Sequence, residues 1–182
     1  MTSITRYKRA VERITRETSW LSIDQKALVA LGPVVSHGMD FFQVARNGLY
    51  SDRLLRMVRI LEQGEKVASF WYLYRCNPKG VTAALENAGL SIEDLRDFSN
   101  CLKTIRDKTF VHIDKAAVSD PQQVYNKAGI TKSKLDKVIW ALWDTMKGLY
   151  QMTFCNTYKR DAYTGHDIPL LKKYRDDIAQ YK

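Results

Sequence analysis

The chain has 182 residues, 45% hydrophobic and 27% charged, with 29 Lys and Arg against 20 Asp and Glu, a formal net charge of +9. This describes one ordinary globular domain with enough chain for a real core. Only 4 Pro and 9 Gly argue against an all-β fold, and the longest apolar run, residues 27–35, is far below a membrane span.

In chain order, residues 3–19 read as a charged helix capped by Thr2 or Ser3, with few large apolar residues. This 1–20 segment is expected to be a loosely docked arm ahead of a bundle spanning about 20–155. Ser22 followed by Gln25 resembles a capping box opening an apolar segment, residues 23–44, which Gly32-Pro33 should break. Asn47-Gly48 is a turn signal. Beyond it Leu49, Leu54, Val58 and Leu61 keep a near-helical spacing, with Arg53, Arg56 and Arg59 mostly on another face. Gly64 marks a stop. Residues 67–74 are aromatic-rich and read as a short helix or turn, because no second strand is available to pair with them. Residues 81–88 form a short helix closed by Gly89. Ser91 caps the next, with Glu93 and Asp94 in its first turn. Thr131 or Ser133 opens a long helix to about Cys155, with Leu135, Val138, Ile139, Leu142, Met146, Leu149 and Tyr150 on its inner face. In the C-terminal loop and helix, 156–182, Asp167 caps a last helix with Pro169 in its first turn. The expected fold is a single all-α domain, an up-and-down bundle of four main helices with short additions.

The residues that carry chemistry gather in one stretch, residues 105–115, with five charged side chains and a histidine. The apolar stripe Leu95, Phe98, Leu102, Ile105 continues through Thr109, His112 and Ala116, so the histidine falls on the inward face. Phe110, Val111 and Ile113 are apolar on other faces, which points to a second cover such as another subunit. Arg106 offers a permanent cation with a planar fork suited to phosphate oxygens. His112 offers a group able to take or give a proton near neutrality. Cleaving a ribose-phosphate backbone without a metal needs both: proton transfer at the 2′-hydroxyl and the leaving oxygen, and a cation at phosphorus. On a regular helix, six residues are about 600° of rotation, so the two side chains would stand roughly 120° apart. A distorted helix, the reach of arginine, or a second copy about a two-fold axis would close that gap. The bland alternative is a core histidine and a surface arginine paired with Asp107 or Asp97.

The string Ile105-Arg106-Asp107-Lys108-Thr109-Phe110-Val111-His112-Ile113-Asp114 resembles the R-x(4–6)-H signature of the HEPN superfamily, and most closely its abortive-infection AbiU-type branch. The arginine-rich helix and Ser69-Phe70-Trp71-Tyr72-Leu73 that follows resemble the same branch more loosely. The resemblance covers roughly residues 20–155. It implies a HEPN-like four-helix bundle that dimerises through its motif helices. The implied activity is a metal-independent endoribonuclease of toxin or antiphage type, needing no cofactor and acting on RNA; the cytoplasmic location expected for it rests instead on the widely spaced cysteines and the short apolar runs. It places Arg106 on the scissile phosphate, His112 as the acid–base residue and Asp107 as the residue that orients the site. The alternative within the family is a non-catalytic module that binds a nucleotide or a nucleotidyltransferase-type or antitoxin partner.

Other features are weighed beside this. The net positive charge fits a polyanionic partner or a solvated basic surface. Lys108, Lys115, Arg53, Arg56 and Arg59 are the candidate RNA-binding cations, with ion pairs to Asp52 and Glu62 as the competing reading of the arginine helix. Phe70 to Tyr74 read mainly as core. Cys76, Cys101 and Cys155 are too far apart for a metal pair and read as buried apolar residues of a reducing compartment. His37 and His166 have no neighbour at metal-ligand spacing.

Overall fold

The computed structural model describes residues 2–32, 41–107, 126–159 and 163–179. Its elements are α1 (Ser3–Leu31), α2 (Phe41–Ile60), α3 (Phe70–Cys76), α4 (Pro78–Asn87), α5 (Ile92–Ile105), α6 (Lys132–Phe154) and α7 (Asp167–Ala179). There is no strand among the described residues, and the architecture is an all-α bundle. None of these helices is long and apolar enough to cross a membrane.

The first helix departs most from expectation. It is no loose arm but one helix, Ser3–Leu31, lying between α2 and α6. Its buried face sets small residues, Ala10, Thr15, Thr18, Ser19 and Ser22, among the larger Val11, Ile14, Leu21, Leu28 and Leu31. The hydroxyls bond back to carbonyls one turn earlier: Thr15 to Val11 at 2.7 Å, Thr18 to Ile14 at 3.1 Å and Ser22 to Ser19 at 2.7 Å. Thr145 on the facing α6 does the same to Ala141 at 2.7 Å. A hydroxyl satisfied within its own helix can be buried without an orphan donor, and its small size lets the backbones approach. Ser22 therefore opens no new helix. The break comes at Gly32, with φ 56°, a left-handed value that glycine adopts without strain.

Asn47-Gly48 is likewise no turn, because both lie inside α2 on its exposed side. Asn47 accepts a bond from Gln43 one turn earlier at 3.0 Å. Other signals hold. Ser91 accepts from the Asp94 amide at 3.0 Å and Thr131 from the Lys134 amide at 3.2 Å, both as helix caps. Asn77 caps α4 through the Gly80 amide at 3.1 Å, so that helix begins before residue 81. Asp167 is the first residue of α7 rather than its cap, and Gly165 precedes it with φ 75°. A Cβ on Gly165 would stand 2.9 Å from Ala30 Cβ, so glycine is what lets this loop close on α1.

The main core joins α1 through α6 around Phe70, Leu73, Leu85, Leu95, Phe98, Ile139 and Leu142. Phe70 and Trp71 are buried in it, and the Trp71 indole donates to the Leu61 carbonyl at 3.2 Å, so this aromatic group is core. A smaller cluster, Ala27, Leu31, Phe42 and Ile168, closes the end beneath α7. Two of the cysteines depart from expectation: Cys76 and Cys155 are exposed, and Cys155 ends α6 with φ 51°.

Candidate functional site

The stripe Leu95, Phe98, Leu102, Ile105 is buried along its length, so the bundle holds α5 firmly up to the motif. At Arg106 and Asp107 the backbone leaves α geometry for a wider π turn. Single π turns are rare and often sit at functional sites. His112, Lys108, Lys115 and His37 lie outside the described residues.

Arg106 is held by two carboxylates. Its Nε donates to Asp107 Oδ1 at 2.8 Å and its Nη1 donates to Glu62 Oε2 at 2.6 Å. The Asp107 hydrogen bond above all, with the charges of Asp107 and Glu62, holds the guanidinium proton more tightly than usual despite partial burial. The side chain remains 25% exposed. It lines a cleft of about 300 Å3 with Val58, Leu61, Glu62, Gln63, Gly64, Ser99, Leu102 and Lys103. Glu62 and Val58 also wall an adjoining cleft of about 250 Å3, which Arg13, Glu17 and Arg59 line. Two clefts thus meet at Glu62, with Lys103 and Arg106 on one side and Arg13 and Arg59 on the other.

The other sequence candidates separate. Arg59 is exposed and belongs to the second cleft. Arg53 is 4% exposed and is not a surface cation for RNA. Its Nη1 donates to Gln25, which in turn donates to Asp136 at 2.9 Å, and its guanidinium lies 4.7 Å from the centre of the Tyr50 ring. Arg56 is enclosed by acids: Asp52 at 2.7 Å, Glu17 at 2.9 Å and Asp24 at 3.3 Å. The Asp52 pairing is the competing reading of this helix. Glu62, by contrast, pairs with Arg106 and not with an α2 arginine. Because the Arg56 Nε–H points at Asp52, Asp24 Oδ2 gets the charge but no hydrogen bond. Burial, then the like charge of Asp52, push the Asp24 carboxyl from an ordinary 3.8 up to about 7, against the pull of Arg56.

Arg13, Lys103 and Glu62 were not among the sequence candidates for this site. Glu62 is 44 residues from Arg106, and a pairing across that distance leaves no local pattern. Among the described residues no group of three or more His, Cys, Asp or Glu is placed to hold a metal ion, and His166 is exposed. No protein-family model, curated protein or solved structure matches the chain.

Proposed function

We propose that the chain is a metal-independent endoribonuclease of the HEPN kind, working in the cytoplasm as a homodimer in a toxin or abortive-infection role. The observation that carries this reading is the position of Arg106. It stands where the motif helix widens, partly exposed, on a cleft it shares with Lys103. In this reading His112 takes the proton of a ribose 2′-hydroxyl, and that oxygen attacks the adjacent phosphorus. The bond to the 5′-oxygen breaks, leaving a cyclic phosphate and, once an acid protonates the leaving oxygen, a 5′-hydroxyl. Two copies of the motif about a two-fold axis supply one histidine as base and the other as acid. Arg106 meets the charge that builds on the phosphate, and Asp107 orients the guanidinium through Nε. Lys103, Arg59 and Arg13, with Lys108 and Lys115 of the motif stretch, are the cations for the RNA backbone.

One observation favours a second reading. Both engaged edges of Arg106 already face carboxylates. In a non-catalytic module that pair is a latch, and the surface around it receives a nucleotide or an antitoxin partner. The two readings part in one assay. Purified protein is incubated with mixed cellular RNA in EDTA, beside a His112→Ala variant of matched melting temperature. Cleavage by wild type alone supports the nuclease. No cleavage by either, from a dimeric protein free of co-purified partners, supports the module.

A further inference from the structure

Resting on the nuclease reading, we infer that Glu62 is a built-in stand-in for the RNA phosphate: its carboxylate occupies Arg106 in the RNA-free protein and gives way when a phosphate enters the cleft. Carboxylate and phosphate present the same kind of acceptor oxygens to a guanidinium fork, so one can replace the other on Arg106. The two acids on Arg106 differ in how they are tied to it. Asp107 is its chain neighbour and stays with it through any movement. Glu62 comes from the segment between α2, which ends at Ile60, and α3, which begins at Phe70. Its side chain is 32% exposed, and ion pairs at that exposure are weak enough to exchange.

Glu62 also has somewhere to go. It walls both clefts, and Arg59 lines the one away from Arg106. Swinging toward Arg59 exchanges one arginine for another and opens the Arg106 cleft, which keeps Lys103 as a second cation. Entry of RNA and release of Glu62 are then one competition for a single guanidinium. Glu62 sets how readily RNA binds without taking part in bond breaking.

The test uses Glu62→Gln, which keeps the shape and removes the charge, with Glu62→Ala as a second variant. Binding is read by fluorescence anisotropy with a labelled 2′-O-methyl RNA oligonucleotide, which lacks the attacking hydroxyl. Both variants are expected to bind about threefold to tenfold tighter than wild type, the release of one partly exposed ion pair. On cleavable RNA, KM should fall with kcat little changed. Unchanged or weaker binding by both variants overturns the inference, as does a loss of kcat at constant KM, which would make Glu62 a positioning residue for Arg106. Arg106→Ala on the same probe keeps the two layers apart. If it does not weaken binding, the reading of Arg106 as a phosphate ligand fails. If it weakens binding but the Glu62 variants do not tighten it, only the stand-in role fails.

Discussion

Arg53 and Arg106 are both arginines with an acceptor far away in the chain, yet they sit in opposite circumstances. Arg53 is 4% exposed, and its neighbours, Gln25 of α1 and Asp136 of α6, tie three helices together from the middle. Arg106 is 25% exposed at the end of α5, and it lines a cleft together with its partner Glu62. A fixed cation walled in by protein holds structure, whereas one with a solvent-facing side can meet a ligand. Sequence offers both as cations for RNA, and burial is what separates them.

The largest effect should come from breaking the buried arginine. Arg53→Met leaves Gln25 and Asp136 without their cation, and we expect a loss of about 3 kcal/mol in urea unfolding. An equally stable Arg53→Met would erase the contrast. On the proposed nuclease reading, Arg106→Ala should instead lose about 100-fold or more in RNA cleavage, the scale of removing a transition-state charge partner. Its unfolding free energy should fall by no more than about 1 kcal/mol, because the ion pairs removed are partly exposed.

How much of this was legible follows the kind of signal. The α5 stripe from Leu95 to Ile105 is periodic and apolar, and all four of its residues are buried. The caps at Ser91 and Thr131 are local chemistry and also hold. The inner face of α1 is hard to see in the sequence because Thr15, Thr18 and Ser22 look polar on paper, while in the helix their hydroxyls bond to their own backbone and they pack as small residues. Gly48 looked like a turn because the pattern of a two-residue signal ignores the long buried face of α2 behind it, with Phe42, Leu54, Met57 and Ile60. The motif string singles out Arg106 and Asp107 as candidates, but no local pattern singles out Glu62, which reaches Arg106 only after the bundle closes.

Smaller effects sharpen the contrast inside the polar layer. The Asp24 carboxyl lies above its ordinary value in the folded chain, so the protonated form is the one the fold favours. Its contribution to stability is complete below about 3.8 and is lost as pH rises through about 7. Between pH 5 and pH 8 the melting temperature of wild type should therefore fall relative to Asp24→Asn, which cannot ionise. A constant difference across that range would show that Asp24 does not titrate there. Smallest is Gly48→Ala. Nothing lies within 4 Å of where its Cβ would stand, so the variant should gain about 0.5–1 kcal/mol from the helix interior alone. A loss instead would mean that this outer face of α2 meets something in solution.

The most direct test of the account is to measure RNA cleavage in EDTA and the urea unfolding midpoint on Arg106→Ala and Arg53→Met together. Arg106→Ala should unfold close to wild type and lose about 100-fold or more in cleavage, while Arg53→Met should be strongly destabilised but cleave in the fraction that remains folded. Wild-type cleavage by Arg106→Ala, or a loss of stability there as large as at Arg53, would contradict it and return Arg106 to the structural arginines of the bundle.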